Sequence, residues 1–130
     1  STRPYQHVLE PLYAYLMIAA MQYEDGKYAG YYNVGPDDVD CFQTGALVDL
    51  FVRKWGDGMK WVNRYDGGPH EANFLKLDCA KLKTTFGWKP HWNLDTAIEK
   101  VAEWSKCWLS GGDVRACMDE EITAFLSAGE

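Results

Sequence analysis

Tyr5-Gln6-His7-Val8-Leu9-Glu10-Pro11-Leu12, continuing as Tyr13-Ala14-Tyr15-Leu16-Met17-Ile18-Ala19-Ala20-Met21, is the stretch that decides the fold class. Tyr5 to Leu9 reads as a short strand. Glu10 and Pro11 then open a helix: a carboxylate suits the positive end of a helix, and a proline in the first turn forfeits no hydrogen bond. From Leu12 to Met21 no side chain is more polar than tyrosine. Leu12, Tyr15, Leu16, Ala19 and Tyr23 form one stripe, while Tyr13, Met17 and Met21 cover the other side. Such a helix calls for burial on nearly all faces. A chain of 130 residues seldom covers both sides of a helix, so the expectation is a partner subunit or further polypeptide upstream that packs on it.

Downstream, Tyr28 to Val34 carries β-formers into the breakers Gly35-Pro36-Asp37-Asp38, giving a second strand. Thr44 to Trp55 follows helical spacing through Leu47, Leu50, Phe51 and Trp55, with Arg53 and Lys54 in its last turn and Gly56 as its stop. Met59 to Val62 is a short strand candidate. After Asp66-Gly67-Gly68-Pro69, Phe74 to Leu77 alternates as a further strand, and Asp78 caps a short helix. Asn93 is the N-cap of a helix from Leu94 to Leu109, with Ala97, Val101, Trp104 and Trp108 opposite Glu99, Lys100, Glu103 and Lys106. A last helix over Ala116 to Leu126 shows Ile122, Phe125 and Leu126 on one face. The alternation of strand and helix argues an α/β class, and the length favours one domain over residues 1–130.

Hydrophobic residues make up 47% and charged residues 25%, which is a globular composition, and aromatics are high at 15%. A net charge of −6 and no Lys/Arg stripe argue against nucleic acid as a partner. No apolar run is long enough to span a bilayer and no secretory leader pattern occurs, so the expectation is a cytoplasmic protein with no membrane contact. Cys41, Cys79, Cys107 and Cys117 are widely spaced and, with His7, His70 and His91, complete no metal-ligand spacing. They read as free thiols of a reducing compartment.

Tyr23 and Lys27 have the Tyr-x-x-x-Lys spacing by which a helix sets a tyrosine base beside a lysine. Asp25-Gly26 interrupts it, so it reads as coincidence. No Gly-x-Gly-x-x-Gly or Walker loop occurs, since Gly56-Asp57-Gly58 follows a helix rather than a strand, and no serine stands in a nucleophile-elbow context. No catalytic residue is therefore assigned. For binding, Arg3 precedes the first strand and either projects a guanidinium fork toward a phosphate or is a solvated terminal charge. Asn33, at the end of an apolar strand, either holds a ligand or caps the next turn. His70 and Glu71 lie with Ala72-Asn73 on a polar loop that serves as a turn or as a ligand loop.

Arg3-Pro4-Tyr5-Gln6-His7-Val8-Leu9-Glu10-Pro11-Leu12 resembles the Arg-Pro-aromatic-Gln-His-Val-Leu-Glu-Pro-Leu segment of CDP-glucose 4,6-dehydratases. The likeness continues in order through Tyr32-Asn33-Val34-Gly35-Pro36, Pro69-His70-Glu71-Ala72-Asn73-Phe74-Leu75-Lys76-Leu77-Asp78-Cys79, Phe86-Gly87-Trp88-Lys89-Pro90 and Trp92-Asn93-Leu94. It departs from the family pattern at Asn73, where an imidazole is common, and at Asp37-Asp38-Val39-Asp40. Those enzymes are extended short-chain dehydrogenases. A Rossmann N-terminal domain holds NAD and the Tyr/Lys pair, and a smaller C-terminal part grips the sugar nucleotide.

The resemblance implies that this chain is the C-terminal substrate-binding part, with the Rossmann domain and its NAD outside it. It implies a lyase in which hydride leaves C4 of the hexose, water is lost across C5 and C6, and hydride returns to C6. It further implies a CDP-hexose partner, a homo-oligomer and a role in polysaccharide synthesis. By matching position it places Arg3 near the pyrophosphate, Asn33 facing the nucleotide, and His70 and Glu71 beside the nucleotide pocket. Two other readings stand beside it: a fragment of another sugar-nucleotide epimerase or reductase, and a stand-alone non-catalytic binding domain.

Overall fold

A computed structural model describes residues 1–64 and 73–130. In chain order they form β1 (Thr2–Pro4), α1 (Leu9–Glu24), 3-10 turns at Gly26–Tyr28 and Asp38–Asp40, β2 (Cys41–Gln43), α2 (Thr44–Trp55), α3 (Ala80–Phe86), α4 (Leu94–Leu109) and α5 (Val114–Ala128). The architecture is mixed and mostly helical, with a two-stranded antiparallel sheet in which Thr2, Arg3 and Pro4 stand opposite Gln43, Phe42 and Cys41. That arrangement is compatible with part of an α/β protein. α2 packs on α4, and α4 on α5.

The helices follow their sequence signals closely. α1 begins at Leu9 with Glu10 and Pro11 in its first turn, α2 ends at Gly56, and Gly56 has a φ of 70° that side chains rarely adopt. At the head of α4, the Asn93 side chain accepts from the Thr96 amide at 2.9 Å and Asp40 accepts from the Leu94 amide at 3.0 Å. Two of the four orphan donors of that helix end are thus satisfied. Asn93→Ala is expected to lower stability by about 1 kcal/mol, the usual worth of such a cap. Urea unfolding checks it, and an unchanged midpoint would mean that Asp40 alone caps the helix.

The strands depart from expectation. The first lies at Thr2–Pro4 rather than Tyr5 to Leu9, and neither Tyr28 to Val34 nor Met59 to Val62 forms a strand. Phe74 makes a single parallel bridge to Thr2, and Leu75 to Leu77 lie outside any strand. β-propensity becomes a ladder only where a neighbouring chain supplies donors and acceptors, and among the described residues no strand lies beside 28–34. Its carbonyls are taken by side chains instead. Tyr32 donates to Tyr28, Lys81 to Tyr31, and Gln6 to Val34.

Two apolar clusters hold the elements together. In one, Ala14, Leu82 and Trp88 are buried, with Tyr13, Met17, Ile18, Tyr32, Val34 and Phe86 packed against them. In the other, Phe125 of α5, 2% exposed, stacks on His91 at 4.4 Å and meets Trp92 at 5.1 Å and Tyr13 at 6.0 Å. The all-round burial expected of α1 is not met within this chain: Leu12, Tyr15, Leu16 and Tyr23 are exposed, while Ala14 and the charged Glu10 are fully buried. The apolar stripe of α4 also differs from expectation. Leu94, Ala97 and Ala102 are buried, whereas Val101 and Trp108 stay exposed.

Candidate substrate-binding edge

β1 carries Arg3 between two neighbours. On one side it pairs with β2. On the other, the Thr2 amide donates to the Asn73 carbonyl at 2.9 Å and the Leu75 amide donates to the Thr2 carbonyl at 3.0 Å. Arg3 is half-buried, and its Nη1 donates to the Thr2 carbonyl at 3.1 Å. The β1 backbone is therefore held on both edges, by β2 and, through Thr2, by residues 73–75.

Asn33 lies at the far end of the same chain segment. Its Nδ2 donates to the Asp78 carbonyl at 3.0 Å, and the residue is solvent-exposed. This bond ties residue 33 to the head of α3 across 45 residues rather than capping the turn that follows it. Beside it the backbone of Gly35 presses on the same segment: a Cβ there would lie 3.0 Å from Leu77 Cδ1 and 3.3 Å from Leu77 Cβ. Arg3 and Asn33 thus border the two ends of residues 73–78. At about 3.3 Å per residue that stretch spans at most roughly 17 Å. His70 and Glu71 lie outside the described residues, and the described chain resumes at Asn73, bonded to the neighbour of Arg3.

An open cleft of about 510 Å³ runs between the turn at Pro36 and the head of α3. Both lysines on its walls are paired within the chain, Lys83 with Asp37 and Lys76 with Asp38 at 3.3 Å, while Asp78 accepts from the Ala80 amide at 2.9 Å. The hydrogen bond that the Lys83 ammonium donates to Asp37 holds it above its ordinary value. Cys79 closes the floor, its thiol donating to the Gly35 carbonyl at 3.8 Å. Burial pushes that thiol up, so it stays protonated and is a poor nucleophile. All four cysteines are free, and no group of His, Cys, Asp or Glu among the described residues could hold a metal ion. No helix among the described residues is long and apolar enough to cross a membrane.

Tyr23 and Lys27 do not share a helix, because α1 ends at Glu24 and Tyr23 is 89% exposed. The sequence reading missed a different group. The Glu10 carboxylate, wholly buried, accepts from the His91 amide at 2.9 and 3.1 Å and from the Trp92 amide at 2.8 Å. His7, also buried, accepts from the Leu9 amide through Nδ1 at 3.2 Å and meets Trp92 edge-on at 5.1 Å. These residues of the Gln6-His7-Val8-Leu9-Glu10 string dock α1 onto the connection leading to α4. The one signal available was that Glu10 is the only charge between Leu9 and Tyr23.

No protein-family model matches the chain. Over 129 residues it is 40% identical to a CDP-glucose 4,6-dehydratase of Salmonella typhimurium (strain LT2), a match covering 98% of this chain and 36% of that protein. The chain is similar to part of that dehydratase. It spans little more than a third of the length of the curated relative it matches.

Proposed function

We propose that this chain is the sugar-nucleotide-binding part of an NAD-dependent lyase that converts CDP-glucose to CDP-4-keto-6-deoxyglucose. The observation that carries the reading is the 40% identity sustained over 129 residues. Arg3 is the residue proposed to meet the pyrophosphate, from a strand whose backbone is bonded on both sides. Asn33, His70 and Glu71 are proposed to lie along the nucleotide, with the Asn33 side-chain carbonyl left for the ligand while its amide holds Asp78.

The residues of this chain do not fit NAD. The sequence has no glycine-rich dinucleotide loop, and the described residues form no parallel sheet with a helix N-terminus at its edge to receive a pyrophosphate. Cofactor binding and hydride transfer are therefore proposed to belong to polypeptide beyond these residues. That polypeptide is also proposed to pack on Leu12, Tyr15 and Leu16 of α1 and to join copies into a homo-oligomer in the cytoplasm.

The test is to supply CDP-glucose and NAD to a protein that carries this chain within a length matching the relative, and to follow the sugar by mass spectrometry and NMR. The expected product has lost one water and carries a ketone at C4 and a methyl group at C6. The 130-residue chain alone is expected to give no product. Epimerised sugar without water loss would instead support the epimerase reading, and turnover by the short chain alone would overturn the assignment of chemistry to residues outside it.

A further inference from the structure

α4 ends and α5 begins around one tight turn. The Cys107 carbonyl accepts from the Gly112 amide and from the Ser110 hydroxyl, both at 2.9 Å, and Gly111 has a φ of 72°, the left-handed backbone with which glycine closes a helix. On the other arm the Asp113 side chain accepts from the Ala116 amide at 3.0 Å, and the Asp113 carbonyl accepts from the Cys117 amide at 3.0 Å. Cys107 and Cys117 are therefore anchored on the two arms of the hairpin by backbone bonds into the turn itself.

Their side chains meet across it. The Cys117 thiol donates to the Cys107 sulfur, and both residues are half-buried. Gly112 leaves room for the Cys107 side chain, since a Cβ there would stand 2.9 Å from its sulfur and 3.2 Å from its carbonyl oxygen. The other two thiols are occupied differently, Cys79 with the Gly35 carbonyl at 3.8 Å and Cys41 with the Asp37 carbonyl at 4.0 Å. Two free thiols in contact, each reachable from solvent, are what thiol–disulfide exchange requires.

We propose that Cys107 and Cys117 are a reversible redox pair, which a low-molecular-weight disulfide such as oxidised glutathione closes into a staple between α4 and α5. Burial and the Glu121 carboxylate hold the Cys117 thiol up, so Cys107 attacks first. Its thiolate bonds to one sulfur of the oxidant and expels a glutathione thiolate. The Cys117 sulfur then attacks Cys107, its proton passing to the second glutathione as that leaves. Two electrons and the two thiol protons leave the protein, and one disulfide becomes two glutathione thiols. A staple that glutathione can also reopen suits a compartment that is otherwise reducing. This proposal does not rest on the dehydratase reading, because neither cysteine is among the residues proposed to meet the sugar nucleotide.

The test is to equilibrate the protein in buffers of stepped reduced-to-oxidised glutathione ratio, trap the free thiols by alkylation, and map the tryptic peptides by mass spectrometry. The oxidised form is expected to join the peptide that begins at Cys107 to the one that begins at Ala116, two hydrogens lighter than their sum, and dithiothreitol should part them. Cys117→Ser should instead collect glutathione on Cys107, about tenfold or more above wild type, because the neighbouring thiol that displaces it is gone. Amide hydrogen exchange in α5 should slow about tenfold or more on oxidation of the wild type and be unmoved in Cys117→Ser. Separate glutathione adducts on both cysteines of the wild type, a link to Cys41, Cys79 or a second molecule, or oxidised protein whose α5 amides exchange as fast as the reduced would overturn the proposal.

Discussion

Glu10→Ala is expected to destabilise the chain by about 3 to 5 kcal/mol, a large part of the stability of a domain this size. The carboxylate is fully buried and receives three short contacts from the backbone amides of His91 and Trp92. Alanine would leave both amides without an acceptor, at about 1 to 3 kcal/mol each, and would open a void between α1 and the 90–93 connection. Glu10→Gln keeps one carbonyl oxygen and should recover part of the loss. Urea unfolding of the three proteins checks this, and an alanine variant within about 0.5 kcal/mol of wild type would show that water replaces the carboxylate.

The same residue predicts a pH dependence. Burial raises the Glu10 carboxyl above its ordinary 4.5, outweighing the two backbone hydrogen bonds and the His91 charge that pull it down. The folded state then holds its proton more tightly than the unfolded state. This contribution to stability is full below pH 4.5 and is lost as pH climbs through the raised value. Glu10→Gln should lack that downward slope. His7 acts oppositely: its lowered value favours the fold above pH 6.5, and that advantage is lost as pH falls through the folded value.

Arg3→Ala, in a protein that carries this chain within a length matching the relative, is expected to weaken CDP-hexose binding about ten- to a hundredfold and leave NAD affinity unaltered. A guanidinium fork on a pyrophosphate is charge-assisted and partly desolvated, worth about 1.5 to 3 kcal/mol, which is one to two decades of affinity. Arg3→Lys should recover only part, because an ammonium cannot reproduce the planar fork. The ladder bonds of β1 come from its backbone, so the alanine variant's melting temperature serves as a control. Calorimetry showing wild-type affinity for CDP-glucose would overturn the pyrophosphate contact and leave the reading of Arg3 as a terminal charge.

The helices were legible because their signals are local. Asn93 caps α4 through a residue three positions on, and Gly56 ends α2 at its own backbone angle. The strands were not. β1 and β2 have three residues each, too few for an alternating pattern, and their pairing joins positions some forty residues apart. The burial of Glu10 was illegible for a similar reason: its partners lie 81 and 82 residues away, and nothing beside it in sequence distinguishes a docking carboxylate from a helix-starting one. The openness of Val101 and Trp108 depends on how α5 crosses α4, which the spacing of apolar residues within α4 does not encode. Arg3 and Asn33 were read from likeness in order along the chain, and the structure adds that residues 73–78 run between them.

The cluster around Phe125 joins the first long helix to the last through Tyr13. More than a hundred residues separate those two rings, and a ribosome adding about 5 to 20 residues per second needs roughly 5 to 20 seconds to make them. Phe86, Trp88 and His91 are made earlier and meet the inner side of α1 first, so what waits for the end of that interval is the closing of the Tyr13 ring by Phe125. The aromatic cluster that fastens α1 to α5 is thus the last to close, and a stop codon ahead of Phe125 would leave the Tyr13, His91 and Trp92 rings without their common partner.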